Sequence, residues 1–225
     1  MTARGDKTRE SLLDAAERLF GERGVAGVSM REIRLASGAR NTAALQFHFG
    51  DRQGLIRAVT ARHLPRIGER QQRIHDEIVA EGRIDDPRSL VEVLVRPVAE
   101  YLTLGPSERA WVKIQAELGT LPDVRLIDLV AYAPDAALAA GNRLFQQIHA
   151  LLPDSVAVER MMLAAQAMVH LCADRARLDD DPSRSPSSVS DAVFLQNLID
   201  MIHGALFATP SAATTALLDA RAPRR

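Results

Sequence analysis

The side chains best suited to intermolecular chemistry lie together between Gly38 and Gly50. Arg40, Asn41, Thr42 and Gln46 supply a guanidinium, two amides and a hydroxyl within one short stretch. Such groups match the donor and acceptor patterns of base edges and the oxygens of a phosphate backbone. Ser29, Arg31, Arg34 and Arg52 flank the stretch with a further hydroxyl and three positive charges. Nothing comparable points to catalysis, and no enzymatic activity is expected. The chain contains no Gly-rich phosphate loop, no Gly-x-Ser-x-Gly elbow and no His-Glu-x-x-His. Its six histidines include no i, i+4 pair, so no helical zinc site and no cofactor are expected. Asp179-Asp180-Asp181 reads as a solvated charge run rather than a cation site.

Presenting the Arg40–Gln46 side chains takes a small hydrophobic unit beneath them. Leu12, Leu13, Ala16, Leu19 and Phe20 recur at helical spacing, so a helix is expected from Asp6 to Arg23, closed by Gly24. Ser29-Met30-Arg31-Glu32 has capping-box spacing and opens a second helix through Ile33, Leu35 and Ala36. Asn41 or Thr42 caps a third, on which Leu45 and Phe49 share a face. Two helices joined through Gly38-Ala39-Arg40 form the helix-turn-helix pattern, whose second helix enters the DNA major groove.

The remainder is also helical. Asp51 caps a long helix expected from Arg52 to Ala80, with a local break at Pro65. Pro87, Pro106, Pro122, Pro134 and Pro153 then mark successive helix starts, and Pro97 kinks one of the segments. Asp179 to Ser190 reads as a mobile loop. No stretch alternates with period two, so the fold is all-α with nine or ten helices.

Bulk composition conceals an asymmetry. The chain of 225 residues holds 28 Lys and Arg against 29 Asp and Glu, a net charge of −1. Residues 1–62 carry 11 against 7, whereas residues 63–225 carry 17 against 22. A basic head therefore sits on an acidic body, which agrees with a nucleic-acid-binding unit, a solvated charged face being the alternative reading. The 47% hydrophobic and 25% charged residues exclude a disordered chain. A single cysteine, Cys172, allows no intrachain disulfide. Met1 to Glu10 is unlike a signal peptide, and no run of 18 apolar residues exists, so a cytoplasmic protein without a membrane partner is expected.

Several of these segments resemble TetR-type transcriptional regulators. Thr8-Arg9-Glu10-Ser11-Leu12-Leu13-Asp14-Ala15-Ala16-Glu17-Arg18-Leu19-Phe20 is similar to that family's opening helix, and Val28 to Ile33 and Ala36-Ser37-Gly38 follow in its order. Leu45-Gln46-Phe47-His48-Phe49-Gly50-Asp51-Arg52 resembles its aromatic third helix, short turn and basic residue. Two departures stand out. The interval from Gly38 to Leu45 is one residue longer than usual, and Gln46 stands where the family carries a tyrosine. The resemblance implies a helix-turn-helix DNA-binding domain over residues 1–52, a helical ligand-binding and dimerisation domain over 53–208, and a flexible tail over 209–225. It implies double-stranded operator DNA as partner, met by Ser29, Arg31, Arg40, Asn41, Thr42, Ala43, Gln46, Phe47 and Arg52. His48 is expected to serve packing rather than a metal.

The resemblance further implies a homodimeric repressor released by an unidentified small-molecule effector. Met161, Ala165 and Met168, with Phe194, Leu198, Met201, Ile202 and Ala205, form apolar stripes wide enough for two helices per subunit to pair with a second copy. Burial inside one monomer is the alternative reading of those stripes. Tyr101, Trp111, Gln115, Phe145 and His149 are the candidates for lining an effector cavity. The competing function is a helical ligand-binding or scaffold protein that no longer reads DNA.

Overall fold

Apolar residues at three- and four-residue steps organise the chain into ten helices among the described residues. A computed structural model describes residues 3–41, 43–119, 134–181, 183 and 189–221. The first four helices are α1 (Ala3–Arg23), α2 (Met30–Ala36), α3 (Ala44–Phe49) and α4 (Arg52–Ala80). They are followed by α5 (Pro87–Tyr101), α6 (Pro106–Leu118), α7 (Asp135–His149), α8 (Asp154–Asp180), α9 (Asp191–Phe207) and α10 (Ala212–Arg221). No strand occurs among the described residues, so the fold is all-α. The helix start expected at Pro122 lies outside them, as do residues 182 and 184–188 of the loop expected over Asp179–Ser190, whose first two residues instead end α8.

Local chemistry explains most boundaries. Asp51, Asp86 and Ser190 cap α4, α5 and α9 by accepting from Gly54 N, Ser89 N and Val193 N. Gly24, Gly38 and Gly50 take φ values of 80°, 71° and 75°, a left-handed region open to glycine at little cost. The α4 helix runs through Pro65 without the expected interruption, and α5 likewise contains Pro97. Burial of α4 at Leu55, Val59, Ile67, Ile74 and Ile78 on both sides of the proline holds the two halves in one helix. The stretch after Thr209, expected to be a flexible tail, carries α10, opened by Ser211 Oγ accepting from Thr214 N at 3.2 Å.

Two hydrophobic cores meet along α4 and α6. The smaller gathers Leu12, Phe20, Val28, Ile33 and Leu45, together with Leu55, Ile56 and Val59 of α4 and Ile114 and Leu118 of α6. The larger gathers α5, α7, α8 and α9 around Ile74, Ile78, Leu90 and Leu144. The N-terminal core thus reaches beyond residue 52, because one long helix supplies apolar faces to both units.

Candidate nucleic-acid interface

The α1–α3 unit is tied internally so that one surface stays open. Ser29 realises the capping box: its Oγ accepts from Glu32 N at 3.3 Å, while Ser29 N donates to Glu32 Oε2 at 2.8 Å. The Ser29 hydroxyl and amide, with the Arg23 guanidinium 2.6 Å from Glu32, hold the Glu32 carboxyl down at about 2. At the turn, Ser37 Oγ donates to Arg34 O and accepts from Ala39 N, and Arg34 Nη1 donates to Ala39 O at 3.2 Å. These bonds fix the angle at which α3 leaves α2.

The α3 helix starts at Ala44 rather than at a capping Asn41 or Thr42. Asn41 Oδ1 instead accepts from Ala43 N at 2.9 Å, turning the chain just before the helix. Thr42 lies outside the described residues. Ala44 and Leu45 are buried inward. Arg31, Arg40, Asn41, Ala43, Gln46 and Phe47 all lie exposed, with Phe47 at 79%. Leu35 is 58% exposed next to this group, and its place in the helical apolar pattern had suggested the core. Together α2, the turn and α3 expose amides, guanidinium groups and two large apolar side chains on one surface, and a short helix such as α3 fits a groove about 12 Å wide. Arg31 and Arg40 have no carboxylate partner among the described residues, so their charges remain directed at solvent or a polyanion.

Arg52 is placed differently from the other basic residues. Its Nη1 donates to Val28 O at 2.6 Å, its Nη2 donates to Val25 O, and the guanidinium lies 5.5 Å over the Phe20 ring. Arg52 therefore closes the α1–α2 loop from within, where two carbonyls compete with any phosphate. His48 lies between the rings of Phe47 and Phe49, at 5.0 and 6.1 Å. No cluster of three or more potential metal ligands occurs among the described residues.

The unit is joined to the body by a polar junction. Buried His63 of α4 pairs through Nδ1 with Tyr101 Oη at 2.7 Å and through Nε2 with Glu17 Oε2 of α1 at 3.0 Å. Ser107 Oγ donates to the other oxygen of Glu17. Burial pushes the Glu17 carboxyl up, but hydrogen bonds from His63 and Ser107 and the charges of His63 and Arg62 outweigh it and hold it below its ordinary value. Glu17 sits on the apolar stripe of α1, four residues after Leu13 and three before Phe20. A carboxylate on an apolar stripe is the signal in the sequence for this junction.

Beside the junction, Gly21 lies against Ala110 of α6, and Glu117 Oε2 accepts from Val25 N at 2.6 Å. Of the residues expected to bind an effector, Trp111 and Gln115 line a cavity in the body. Tyr101 belongs to the junction instead, while Phe145 and His149 stack on one another along α7, at 5.9 Å.

A known family carries the same head. Residues 12–59 match the family of bacterial regulatory proteins of the tetR type. The chain is 31% identical over 129 residues to the transcriptional repressor AcnR of Corynebacterium glutamicum, covering 55% of this chain and 68% of that protein. The chain belongs to the TetR family. It is a DNA-binding transcriptional regulator. The TetR-family regulator BetI of Rhizobium meliloti is 28% identical over 183 residues, covering 81% of this chain and 84% of its own. A TetR-family protein of Rhodococcus RHA1 superposes with a TM-score of 0.51 at 15% identity, over 93% of this chain and all of its own, and so shares the fold.

Proposed function

We propose that this TetR-family chain is a homodimeric repressor whose α3 helices read two half-sites of an operator and whose body releases that operator when it binds a small molecule. The observation that carries the DNA-reading part is the outward set Arg31, Arg40, Asn41, Gln46 and Phe47 on a frame with its own hydrophobic core. Arg40 and Gln46 are assigned to base edges and Arg31 to phosphate. Gln46 can pair with adenine through two hydrogen bonds, whereas Phe47 can contact a thymine methyl.

The dimer reading is supported by apolar surface left uncovered within one subunit. Among the described residues α8 is long and apolar enough to cross a membrane, yet only 22% of its most apolar window is buried. Val158, Met162 and Leu163 of α8 and Val193 and Met201 of α9 are exposed, and Ala205 lies outward with them. Leu198 and Ile202, expected at the interface, are instead buried in the subunit's own core, because that side of α9 faces α5 and α8. Met161, Ala165, Met168 and Phe194 are half-buried at the edge of the proposed interface. A second copy covering these helices completes a four-helix bundle and sets the two α3 helices about one DNA turn apart, roughly 34–36 Å.

Coupling between ligand and operator is assigned to α6. One side of this helix presents Trp111 and Gln115 to the cavity. Another face presents Ala110 and Glu117 to α1 and the loop after it, and Ser107 in its first turn bonds Glu17 of α1. Displacing α6 therefore moves the head, and a ligand that favours the displaced state draws the population away from the DNA-binding spacing. Such a regulator acts in the cytoplasm, where the chromosome is. The test is selection of genomic fragments by the full-length protein followed by footprinting. Protection of two half-sites in one fragment is the expected result. Absence of any salt-sensitive, sequence-dependent binding overturns the reading.

A further inference from the structure

The short connection between α1 and α2 is held from two directions by charged side chains of other helices. On one side, Arg52 in the first turn of α4 donates through Nη1 to Val28 O at 2.6 Å and through Nη2 to Val25 O. Its guanidinium lies 5.5 Å over the ring of Phe20, which is itself buried. On the other side, Glu117 near the end of α6 accepts from Val25 N at 2.6 Å. The Val25 and Val28 side chains are both buried in the smaller core. Val25 is therefore fixed through its N–H, its carbonyl and its side chain at once.

Ser29, the cap of α2, follows Val28 directly, so the place of this connection decides where α2 begins. The bonds of Arg34 and Ser37 at the turn then carry α3 along with α2. A shift of the connection therefore re-aims α3. Positive charge in the first turn of a helix is disfavoured by the macrodipole, and two carbonyl acceptors offset that for Arg52. The contact depends on the planar guanidinium fork. A lysine keeps the charge but presents one compact ammonium, which cannot bridge the two carbonyls while lying flat over a ring.

Resting on the reading that α3 carries the base contacts, we infer that Arg52 and Glu117 are positioning residues for operator recognition: they clamp the α1–α2 connection between α4 and α6 and so aim α3, with the Arg52 guanidinium engaged by that connection rather than by a phosphate. A residue that contacts phosphate behaves differently. Its loss weakens binding to every sequence and lowers the salt slope by about 0.9 for each contact. Lysine, a good phosphate partner, largely replaces it.

Binding of the full-length protein to a selected operator and to a scrambled duplex, across a salt series, separates the two roles. In Arg52→Lys and in Glu117→Met the ratio of the two affinities should fall by about tenfold or more. Affinity for the scrambled duplex should stay within about twofold of wild type, with an unchanged salt slope. The double variant should lose little more than the worse single one, because both release the same connection. Full operator preference in either folded variant overturns the inference, and so does equal weakening on both duplexes. Circular dichroism checks folding, and Glu117→Met carries the test if Arg52→Lys does not fold. Arg40→Ala in the same assay tests α3 separately. Full preference in Arg40→Ala retires the reading of α3 itself, whereas its loss there with preference kept in Arg52→Lys retires only the clamp.

Discussion

Substituting alanine for Gly21 probes how tightly the DNA-reading head is seated on the body. A Cβ at position 21 lies 2.5 Å from Ala110 Cβ and 3.0 Å from Ala110 Cα. Carbon atoms in ordinary contact stand about 3.5–4.0 Å apart, so α1 and α6 must separate by roughly 1 Å. Neither atom of Ala110 belongs to a flexible side chain that could swing aside. Overpacking of this kind costs about 1–3 kcal/mol, while replacing a glycine in the last turn of α1 by alanine returns at most about 1 kcal/mol of helix propensity. The net expectation for Gly21→Ala is a loss of about 1 kcal/mol, seen as a melting temperature lower by about 2–4 °C. Adding Ala110→Gly restores the space and leaves one glycine and one alanine in helix interiors as before, so stability returns close to the wild-type value. Thermal unfolding followed by circular dichroism reads both variants. Helix propensity alone predicts the opposite sign, so a Gly21→Ala protein more stable than wild type refutes the close contact. Failure of Ala110→Gly to restore stability refutes it equally.

The remaining expectations concern the junction, the capping box and the dimer. Tyr101→Phe keeps the ring but removes the partner of buried His63 Nδ1, so calorimetry should find about 1–3 kcal/mol of stability lost; no change would mean that the bond contributes nothing. The Glu32 carboxyl, lowered from 4.5 to about 2 in the folded protein, contributes stability that is present above pH 4.5 and lost as the pH falls through about 2. Urea unfolding across that window should show Glu32→Gln to be less acid-sensitive than the wild type, and identical pH dependence would contradict the capping account. Met162→Lys and Met201→Glu place charges on the exposed α8 and α9 faces, and sedimentation velocity should show monomer for either; a wild-type protein that sediments as monomer at micromolar concentration removes the dimer.

Much of the fold was legible because local chemistry and tertiary packing agree. Gly24, Gly38 and Gly50 end segments where the left-handed backbone is needed, and Ser29 and Asp51 cap where their spacing indicates. Legibility failed where distant contacts decide. Pro65 reads locally as a break, but α4 continues through it, packed on both sides against two cores. Leu198 and Ile202 share a stripe with Met201 and Ala205, and only the placement of α5 and α8 says which half of that stripe is covered. Arg52 reads as a phosphate contact by position, yet its guanidinium is taken up by the Val28 and Val25 carbonyls, 24 and 27 residues away. Charge pattern was informative in the same conditional way. The near-neutral total divides into a basic head and an acidic body, and the head's basic residues serve two purposes. Arg31 and Arg40 face outward, while Arg23, Arg34 and Arg52 tie the loops that aim α3.

The central claim, that α3 reads base sequence, is tested most directly by fluorescence anisotropy with a selected operator and a scrambled duplex over a range of salt concentrations. The wild-type protein should prefer the operator, and its affinity should fall steeply as salt rises. Arg40→Ala and Gln46→Ala should each lose about 1–3 kcal/mol of that preference while keeping the helical content of the wild type. Equal affinity for both duplexes, or full discrimination in both variants, would contradict the account.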